Sequence, residues 1–316
     1  MTRAQWKAKL ALLAAGALAL TACSSSGTDD TGGSDSGGGS IVVATTNFSE
    51  TKILASMYQQ VLESKGIDAS VKELTTREVI IPALQKGEVQ LTPEYLGSLT
   101  EFLNKEANGA DAPQAATGDV DKTYAAAGKL AKEENLTLLT PSPAQDQNSF
   151  AVTKDFAEQN NLKTLSDLGE YSQNSPVTLG GPPECPKRPF CQPGLEETYN
   201  VKVESFVPLD AGGPLTIQAL KQGKANVGLV FSSSGSVSAN DLVVLEDDKG
   251  LQTAENITPA LYTPAVTDTI TEALDAVSAA LTTDELQQLN AAVEIDRKNP
   301  DQVAKDFLTD KGLLNE

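Results

Sequence analysis

The sequence predicts an α/β protein with two similar lobes that face each other across a cleft. From Ile41 onward, strand and helix patterns alternate in the order β-α-β-α-β, which is typical of a parallel sheet with right-handed crossovers. The stretch 83–98 also recurs in outline at 219–234. In both, Ala-Leu is followed three residues later by Gly, then by a short apolar strand that leads to an aromatic residue, Tyr95 or Phe231. Because ligands of open α/β sheets bind beyond the carboxyl ends of the strands, these two loops are expected to line opposite sides of one cleft.

The first lobe is predicted to begin with the apolar strand 41–44. Ser49 is expected to be the N-cap of the following helix and Gly66 to end it, because serine accepts a hydrogen bond from a free backbone N–H and glycine readily terminates helices. The apolar side chains of this helix recur with a 3.6-residue period, at Ile53, Leu54, Met57, Tyr58, Val61 and Leu62. A strand at 69–74 and a second helix capped by Thr76 then lead into the stretch 83–98.

The chain is predicted to cross between the lobes twice. Residues 141–149 are rich in proline and polar side chains and interrupt the strand pattern, so the first crossing is placed there. The first lobe then comprises 41–146 and 255–316, and the second lobe comprises 147–254. Further strands are predicted at 136–140, 150–153, 177–180 and 242–248. The first lobe is expected to end in three amphipathic helices, at 266–281, 284–293 and 300–308.

Residues 1–22 are predicted to be a signal peptide. The start is basic, with Arg3, Lys7 and Lys9, and the apolar run that follows is too short to span a membrane as a helix. The run ends in Leu-Thr-Ala before Cys23, which resembles the cleavage box of a bacterial lipoprotein, where this cysteine carries the lipid. An ordinary signal peptide with an incidental cysteine is the alternative. Residues 23–40 contain only Ser, Gly, Thr and Asp after the cysteine, so they are predicted to form a flexible tether.

The charge balance excludes several classes of partner. The whole chain has a net charge of −19, and without the three basic residues of the leader 21 basic and 43 acidic residues remain, a net charge of −22. Nucleic acid and anionic lipid are recognised by clustered Lys and Arg, so neither is expected to bind. An acidic exported protein accounts for the charge, and 40% apolar residues are enough for a core.

The residue types available for chemistry are few. The chain has no histidine, which excludes Ser-His-Asp triads, His-paired thiols and histidine-based zinc sites. No metal or cofactor is expected, since the acidic run 246–248 lacks the further oxygen ligands of a calcium loop. With Cys23 lipidated, Cys185 and Cys191 are expected to pair in an oxidising exterior. This disulfide would stiffen one proline-rich loop, because closing a short loop constrains the unfolded chain least; a redox switch is the alternative.

Three segments together resemble those of one family. They are 47–50 (Asn-Phe-Ser-Glu) after the first strand, 84–98 with its Pro-Glu-Tyr-Leu-Gly-Ser, and 242–249. In the order and spacing of these segments, the chain from Ile41 to its end resembles the substrate-binding lipoproteins of ABC importers for osmoprotectants such as glycine betaine, choline and carnitine. The resemblance implies a two-lobed type II periplasmic-binding fold with two crossovers. It also implies a monomer that closes over one small ligand and delivers it to a permease and its ATPase.

The resemblance also implies roles for individual residues. Family members hold the trimethylammonium head of the ligand between aromatic faces, because the ring quadrupole attracts a cation that donates no hydrogen bonds. Tyr95 stands where the family has a tyrosine of this cage. Arg188 matches an arginine that can bind the ligand carboxylate with two hydrogen bonds. Asn47, Phe48 and Ser49 lie at a helix start whose backbone N–H groups are offered to the same polar end of the ligand.

The chain departs from the family pattern where the cage would be completed. Gln147 and Asn148 stand where relatives often have a Thr-Tyr pair, 253–256 lacks tyrosine, and Gln192 replaces a frequent tyrosine. The aromatic candidates for the site are Tyr95, Phe48, Phe190 and Phe231. The polar candidates are Thr76, Ser98, Asp146, Asn148, Ser232 and Ser233. Two classes of ligand therefore stay open, a quaternary amine and a more polar solute.

Alternatives stand beside these assignments. Tyr95 and Phe231 could pack in a core, Arg188 could brace its own loop, and Asp146 and Asn148 could be hinge or turn residues. An exported enzyme without histidine would need a pair of carboxyl groups as acid and base. Glu94 of the Pro-Glu-Tyr segment lies in the first loop, but the matching loop after Phe231 has no acidic residue. The sequence therefore favours a receptor over an enzyme. A sensor that kept the fold and lost transport is the third possibility.

Overall fold

The computed structural model describes residues 40–314, except Glu184, Ala211 and the side chain of Ser238. The predicted signal peptide 1–22, the predicted lipidation site Cys23 and the tether up to residue 39 lie outside the described residues. In the described part of the chain, no helix has both the length and the apolar character needed to cross a membrane.

Strands and helices follow one another in three consecutive parts of the described chain. The first part contains β1 (Ile41–Thr45), α1 (Ser49–Ser64), β2 (Ala69–Glu73), α2 (Arg77–Gln85), β3 (Leu91–Tyr95), α3 (Leu96–Asn108), α4 (Val120–Glu133) and β4 (Leu136–Leu138). The second part contains β5 (Asn148–Thr153), α5 (Lys154–Asn160), α6 (Leu165–Tyr171), β6 (Val177–Gly181), α7 (Gln192–Tyr199), β7 (Val203–Pro208), α8 (Pro214–Lys221), β8 (Val227–Phe231), α9 (Gly235–Ala239) and β9 (Leu242–Leu245). The third part contains β10 (Ile257–Tyr262), α10 (Asp268–Ala280), α11 (Thr283–Glu294) and α12 (Pro300–Asp310).

The first and third parts together build one five-stranded sheet, in the order β2-β1-β3-β10-β4. Strand β1 is parallel to β2 and β3, which confirms the parallel arrangement predicted for these strands. Strand β10 is antiparallel to β3 and β4 and was absent from the sequence-based assignment. Its apolar run contains Pro259, and proline, which cannot donate to a ladder, normally argues against an interior strand. Here Pro259 lies opposite Pro93 in the register.

The second part builds a sheet with the same pattern, in the order β7-β6-β8-β5-β9. Strand β6 is parallel to β7 and β8, whereas β5 is antiparallel to β8 and β9. The recurring stretches 83–98 and 219–234 thus supply equivalent strands, β3 and β8. Gly87 and Gly223 both have a positive φ, of 71° and 66°, as expected for the glycine that ends a helix.

Helices cover both faces of each sheet. In the first sheet, one apolar cluster joins β1 and β3 to α1, α10, α11 and α12, and a second cluster joins the other face to α2, α3 and α4. In the second sheet, α5, α6 and α7 cover one face and α8 and α9 cover the other. The described residues therefore form two α/β lobes, each with its own pair of apolar clusters.

The lobes also meet directly, through α9 of the second and α11 of the first. A Cβ atom placed on Gly235 at the start of α9 would clash with the backbone of Ala291 in α11. The two backbones therefore approach as closely as a glycine allows.

Some local predictions were wrong. Ser49 is the first residue of α1 rather than its N-cap; Phe48 occupies the cap position, and its side chain makes no capping hydrogen bond. Thr76 occupies the N-cap position of α2 as predicted, but its hydroxyl accepts no capping hydrogen bond. Strand β9 ends at Leu245, before the predicted 248, because the carboxylate of Asp247 accepts two backbone N–H groups of the turn that follows.

Candidate functional site

A cavity of about 830 Å³ lies between the two lobes, where the parallel strands of both sheets end. The first lobe contributes Arg77, Glu78, Tyr95, Gly97, Ser98, Glu101, Phe102, Lys105, Ala112 and Gln114. The chain crosses between the two sheets in a first crossing segment, 139–147, and a second crossing segment, 246–256. The second lobe and these two segments contribute Asp146, Gln147, Asn148, Phe190, Phe231, Gln252, Thr253 and Glu255. The cavity thus lies at the sheet edge where the sequence predicted a cleft.

Tyr95 and Phe231 line this one cavity from opposite lobes. Each is the last residue of its strand, and each is paired across the sheet with the first residue of an antiparallel strand: Tyr95 with Ile257, and Phe231 with Asn148. Tyr95 is half-buried, while 39% of Phe231 is exposed. Tyr95 also packs against the apolar cluster of the first lobe, so its ring has one side on the core and one on the cavity.

The hydroxyl of Tyr95 is hydrogen-bonded to a buried acid. It donates a 2.7 Å hydrogen bond to Oε1 of Glu50, whose side chain is fully buried near the start of α1. The other oxygen of Glu50 accepts a 2.6 Å hydrogen bond from Nδ2 of Asn290 in α11. Burial, and then the nearby carboxylate of Asp146, raise the pKa of Glu50 to about 7. Burial and both carboxyl groups raise the pKa of Tyr95, so its hydroxyl stays a hydrogen-bond donor.

Asp146, Ser232 and Ser233 form the junction between the lobes. Ser233 Oγ donates a 2.7 Å hydrogen bond to Oδ1 of Asp146, and burial raises the pKa of this carboxyl group. Ser232 is buried; its Oγ accepts from the N–H of Gln147 and donates to the carbonyl of Gln145. Ser232 thus fixes the first crossing segment to the end of β8, whereas Asp146 also faces the cavity.

Ser98 binds an acid that the sequence analysis did not identify. Its backbone N–H and its hydroxyl donate to the two oxygens of Glu255, over 2.9 Å and 2.8 Å. Thr253 donates a third hydrogen bond to the same carboxyl group. Burial raises the pKa of Glu255, against the lowering effect of these hydrogen bonds. Glu255 belongs to the second crossing segment, so it joins that segment to the N-terminus of α3.

Arg77 also lines the cavity and was not among the predicted site residues. Its Nε and Nη2 donate to both oxygens of Glu94, over 2.7–3.1 Å, and only 5% of the Glu94 side chain is exposed. The acid of the Pro-Glu-Tyr segment is therefore engaged in an ion pair beneath the cavity wall. The available sequence signal was position, because Arg77 follows the carboxyl end of β2, at the same sheet edge as Tyr95.

The predicted site residues divide into two groups. Those that line the cavity are Tyr95, Ser98, Asp146, Asn148, Phe190 and Phe231. Those that do not line it are Asn47, Phe48, Ser49, Thr76, Arg188, Ser232 and Ser233. Asn47 accepts a 2.7 Å hydrogen bond from Lys52. Phe48 and Ser233 line a second cavity of about 520 Å³, on the other side of Phe231.

Arg188 lies on the proline-rich loop. Its side chain is exposed and does not line the cavity. The loop is closed by the disulfide between Cys185 and Cys191, whose Cα atoms are 5.2 Å apart. Both cysteines are buried in the apolar cluster of the second lobe. The disulfide therefore anchors the loop to this cluster as well as closing it.

The charged side chains of the cavity are mostly acidic. Glu78, Glu101, Asp146 and Glu255 line it, against two basic side chains, Arg77 and Lys105. The guanidinium of Arg77 already faces Glu94. With aromatic rings on both sides, this balance favours a cationic group in the cavity over an anionic one.

Comparison with known proteins agrees with this geometry. A family described as the substrate binding domain of ABC-type glycine betaine transport systems matches residues 39–310. The glycine betaine-binding protein YehZ of Escherichia coli strain K12 is 31% identical over 317 residues, which cover 97% of each chain. The structure of apo YehZ superposes with a TM-score of 0.77 at 30% identity, covering 86% of this chain and 99% of that one.

Two further proteins extend the comparison. The crystal structure of a glycine betaine/carnitine/choline ABC transporter protein has a TM-score of 0.78 at 23% identity and covers 87% of this chain and 100% of that one, which supports the fold. An ergothioneine transport permease/ergothioneine binding protein, EgtU, of Helicobacter pylori strain G27 is 28% identical over 288 residues. That match covers 86% of this chain and 48% of EgtU.

These likenesses confirm the two-lobed periplasmic-binding fold and the resemblance from which it was expected. The family is one of extracytoplasmic transport proteins that bind solutes, not of enzymes. The chain belongs to the family of substrate-binding domains of ABC-type glycine betaine transport systems.

Proposed function

We propose that this protein captures a small solute with a quaternary ammonium group between its lobes, and delivers it to an ABC permease and ATPase. The observation that carries the proposal is the position of Tyr95 and Phe231, which line one cavity from the two lobes. A ring face attracts a cation that donates no hydrogen bonds, and rings on both lobes bind it best when the lobes close. The acidic surplus of the cavity supports the same ligand class.

The second proposal concerns the carboxylate that betaines carry. Arg77 lines the cavity and is held in place by Glu94, so its guanidinium is pre-oriented for an anionic group. Arg188, which the family resemblance suggested for this role, would contact the ligand only if its loop moved toward the cavity on closure. We propose Arg77 as the contact that distinguishes glycine betaine from choline, which has no carboxylate.

A more polar solute is the second candidate. The amides of Gln147, Asn148 and Gln252 line the cavity where tyrosines would complete a cage, and amides both donate and accept hydrogen bonds. The cavity also has room for betaines larger than glycine betaine. Ergothioneine, which appears in the name of the relative EgtU, is such a larger betaine, so it is included among the test ligands.

The ligand class can be tested by isothermal titration calorimetry of residues 41–316. The panel comprises glycine betaine, choline, carnitine, ergothioneine, a sugar and a polyol. We expect heat from one or more quaternary amines and none from the sugar or polyol, with affinity lost in both Tyr95→Ala and Phe231→Ala. If only the polyol bound, the more polar solute rather than the quaternary amine would be the ligand class.

Comparing glycine betaine with choline shows which of the two arginines, Arg77 or Arg188, contacts the ligand carboxylate. Arg77→Gln is expected to weaken glycine betaine more than choline, whereas Arg188→Gln should affect both ligands equally or neither. The reverse result would restore the role that the sequence suggested for Arg188.

We further propose that the lobes pivot on the two crossing segments, with 41–146 and 255–316 moving against 147–254. In support, the two segments are joined to each other: the N–H of Asp146 donates to the carbonyl of Glu255, and Gln145 pairs with Asn256. Paired crossing segments make a compact hinge. Small-angle X-ray scattering with and without ligand would show a decrease in radius of gyration if the lobes close.

The attachment of the protein is also a proposal. A signal peptide over 1–22, a lipid on Cys23 and a tether over 23–40 would keep a monomeric receptor on the outer face of the cell membrane. The oxidising exterior would keep Cys185 and Cys191 paired. Cys23→Ala should move the protein from the membrane fraction to the medium or periplasm. An unchanged membrane fraction would contradict lipid anchoring.

A further inference from the structure

Hydrogen bonds connect two carboxyl groups at the lobe junction, that of the buried Glu50 and that of the half-buried Asp146. Glu50 accepts from the hydroxyl of Tyr95 and from Nδ2 of Asn290. Ser233 Oγ donates to Oδ1 of Asp146 over 2.7 Å, and the carbonyl of Ser233 accepts from the same Nδ2 of Asn290 over 2.9 Å. The two carboxyl groups, one on α1 and one in the first crossing segment, are therefore connected through Asn290 and Ser233. Glu50 is fully buried, whereas Asp146 faces the cavity.

Neither carboxyl group has a basic partner. None of the ion pairs among the described residues includes Glu50 or Asp146. Glu50 is cut off from water and is repelled by the charge of Asp146, so ionising both carboxyl groups is unfavourable. A proton on Glu50 relieves this: its O–H can donate to Ser233, which donates in turn to the carboxylate of Asp146.

The other charged groups around the pair do not change this balance. Glu94 lies beyond Tyr95 and is bound by Arg77. Glu294, the last residue of α11, lines the second cavity together with Arg297 and Ser233. Burial, and then Asp146, raise the pKa of Glu294, so this acid adds negative charge to the cluster rather than compensating it.

We propose that Glu50 and Asp146 share one proton in the solute-free protein, and that a cation bound in the cavity expels it. This inference rests on the proposed function, because it requires a positively charged solute. The cation lies beside Asp146 and stabilises two ionised carboxylates in place of one. The O–H bond of the shared proton breaks, and the proton passes to the buffer base. By reciprocity, protons weaken solute binding as much as the solute weakens proton binding.

The proton can be counted by titration calorimetry in two buffers of different ionisation enthalpy, phosphate and Tris, at pH 7. Choline and glycine betaine are the probes, since neither changes its charge between about pH 5 and 9. We expect release of a measurable fraction of one proton per solute bound. If binding lowers the proton affinity of the pair tenfold, the affinity for solute rises up to about tenfold across the titration of the pair. Equal binding enthalpies in the two buffers would overturn the proposal.

The source of the proton is identified with Glu50→Gln. The amide can take the place of the protonated carboxyl group but cannot lose a proton at this pH. In this variant we expect equal enthalpies in both buffers and an affinity that no longer varies between pH 6 and 8. Glu255→Gln and Glu294→Gln test the two other acids near Asp146 as the source, and proton release that survives in Glu50→Gln and disappears in one of them would assign it to that acid. The control is Glu134→Gln, because the carboxyl group of Glu134 accepts from Gln85 away from the cavity and its loss should leave the proton release unchanged.

A second variant covers the case in which Glu50→Gln does not fold. Ser233→Ala removes the hydroxyl between the two carboxyl groups and should reduce proton release while Glu50 stays in place. An unchanged release in Ser233→Ala would contradict the shared proton. The experiment also separates the two proposals: no heat with any quaternary amine refutes the proposed function, whereas heat without proton transfer refutes only this inference.

Discussion

Tyr95 contributes a ring to the cavity and a hydroxyl to Glu50, and the two contributions can be separated. Tyr95→Phe keeps the ring, so we expect its affinity for a quaternary amine to stay within about threefold. Tyr95→Ala should lose about tenfold or more, because a cation–π contact contributes about 0.5–2 kcal/mol before loss of contact area is counted. Titration calorimetry measures both.

Tyr124→Phe is the control for this pair, since the Tyr124 hydroxyl binds the carbonyl of Leu138, away from the cavity. Its affinity should match that of the unmodified protein. If the Tyr95→Phe and Tyr95→Ala variants lose equal affinity, the hydroxyl rather than the ring is what the ligand needs.

The ion pair of Arg77 and Glu94 should matter for stability as well as for binding. Arg77→Ala leaves the buried carboxylate of Glu94 without its partner, which costs about 3–5 kcal/mol for a fully buried pair. Because a quarter of the Arg77 side chain is exposed, we expect a smaller loss, about 2 kcal/mol, in the free energy of unfolding by urea.

The double variant Arg77→Ala/Glu94→Gln tests the cause of this loss. It removes the unpaired charge, so it should be more stable than Arg77→Ala alone. If the double variant is less stable than the single one, the side chain of Arg77 acts through packing rather than through charge.

Tyr95 lines the cavity as the sequence predicted, whereas the arginine in the cavity wall is Arg77 and not Arg188. Tyr95 lies in a stretch whose strand and loop are encoded locally, so its place at the end of β3 follows from the sequence. The choice between Arg77 and Arg188 depends on which loop reaches the cavity, and that is fixed by contacts between distant segments. The same holds for Glu255, which meets Ser98 across 157 residues of chain.

At the level of elements, the contact of α9 with α11 offers a sharp test. Gly235→Ala would place a methyl group against the backbone of Ala291, which cannot move aside as a flexible side chain could. We expect destabilisation of about 1–3 kcal/mol, or a partial separation of the lobes, as is usual for overpacking. Thermal and urea unfolding measure the first outcome, and small-angle scattering measures the second.

Gly128→Ala in α4 is the matched control, because no atom lies within 4 Å of the added methyl group. Alanine is favoured over glycine inside a helix, so this variant should gain up to about 1 kcal/mol. If both variants behave alike, the close approach of α9 to α11 does not constrain the lobes.

Elements with a strong periodic pattern were predictable, and elements defined by long-range pairing were not. The stripe of α1 and the helices near the C-terminus lie close to the predicted ranges. Strand β10 was not predicted because Pro259 interrupts the sequence pattern of a strand. In the sheet, this proline is accommodated between two partner strands. Its pairing with β3 and β4 involves residues more than a hundred positions away, which local patterns do not report.

For the whole molecule, the buried acids set the pH dependence of stability. Burial raises the pKa of Glu50 from its ordinary 4.5 to about 7, and burial also raises those of Asp146 and Glu255. A raised acid pKa contributes stability that is complete below the unfolded value and is lost as pH rises through the folded value. Hydrogen bonds lower the pKa of Asp167 and Asp210, whose stabilisation is lost as pH falls below about 4.

The free energy of unfolding should therefore be greatest near pH 5. We expect it to fall by about 2–3 kcal/mol between pH 5 and 8, since a shift of one pKa unit corresponds to about 1.4 kcal/mol. Urea unfolding followed by circular dichroism at several pH values measures this fall. In Glu50→Gln the decline above pH 5 should be shallower. A stability that rises toward pH 8 would contradict the burial of these acids in the folded state.

The two-lobed architecture was predictable because the chain repeats its own pattern, with β3 and β8 as the equivalent strands. What the sequence could not supply was the interior of the junction. Glu50, Ser233 and Asn290 are separated by long stretches of chain and belong to no recognisable motif, yet they meet within hydrogen-bonding distance. Their meeting depends on how two folded lobes fit together.

The antiparallel strands connect the hinge to the aromatic rings. The strands β5 and β10 each begin just after a crossing segment, and their first residues, Asn148 and Ile257, are the ladder partners of Phe231 and Tyr95. If the lobes rotate about these segments as proposed, the rotation takes place next to the strand ends that carry the two rings. A change in the angle between the lobes would then change the distance and the tilt between the two aromatic faces.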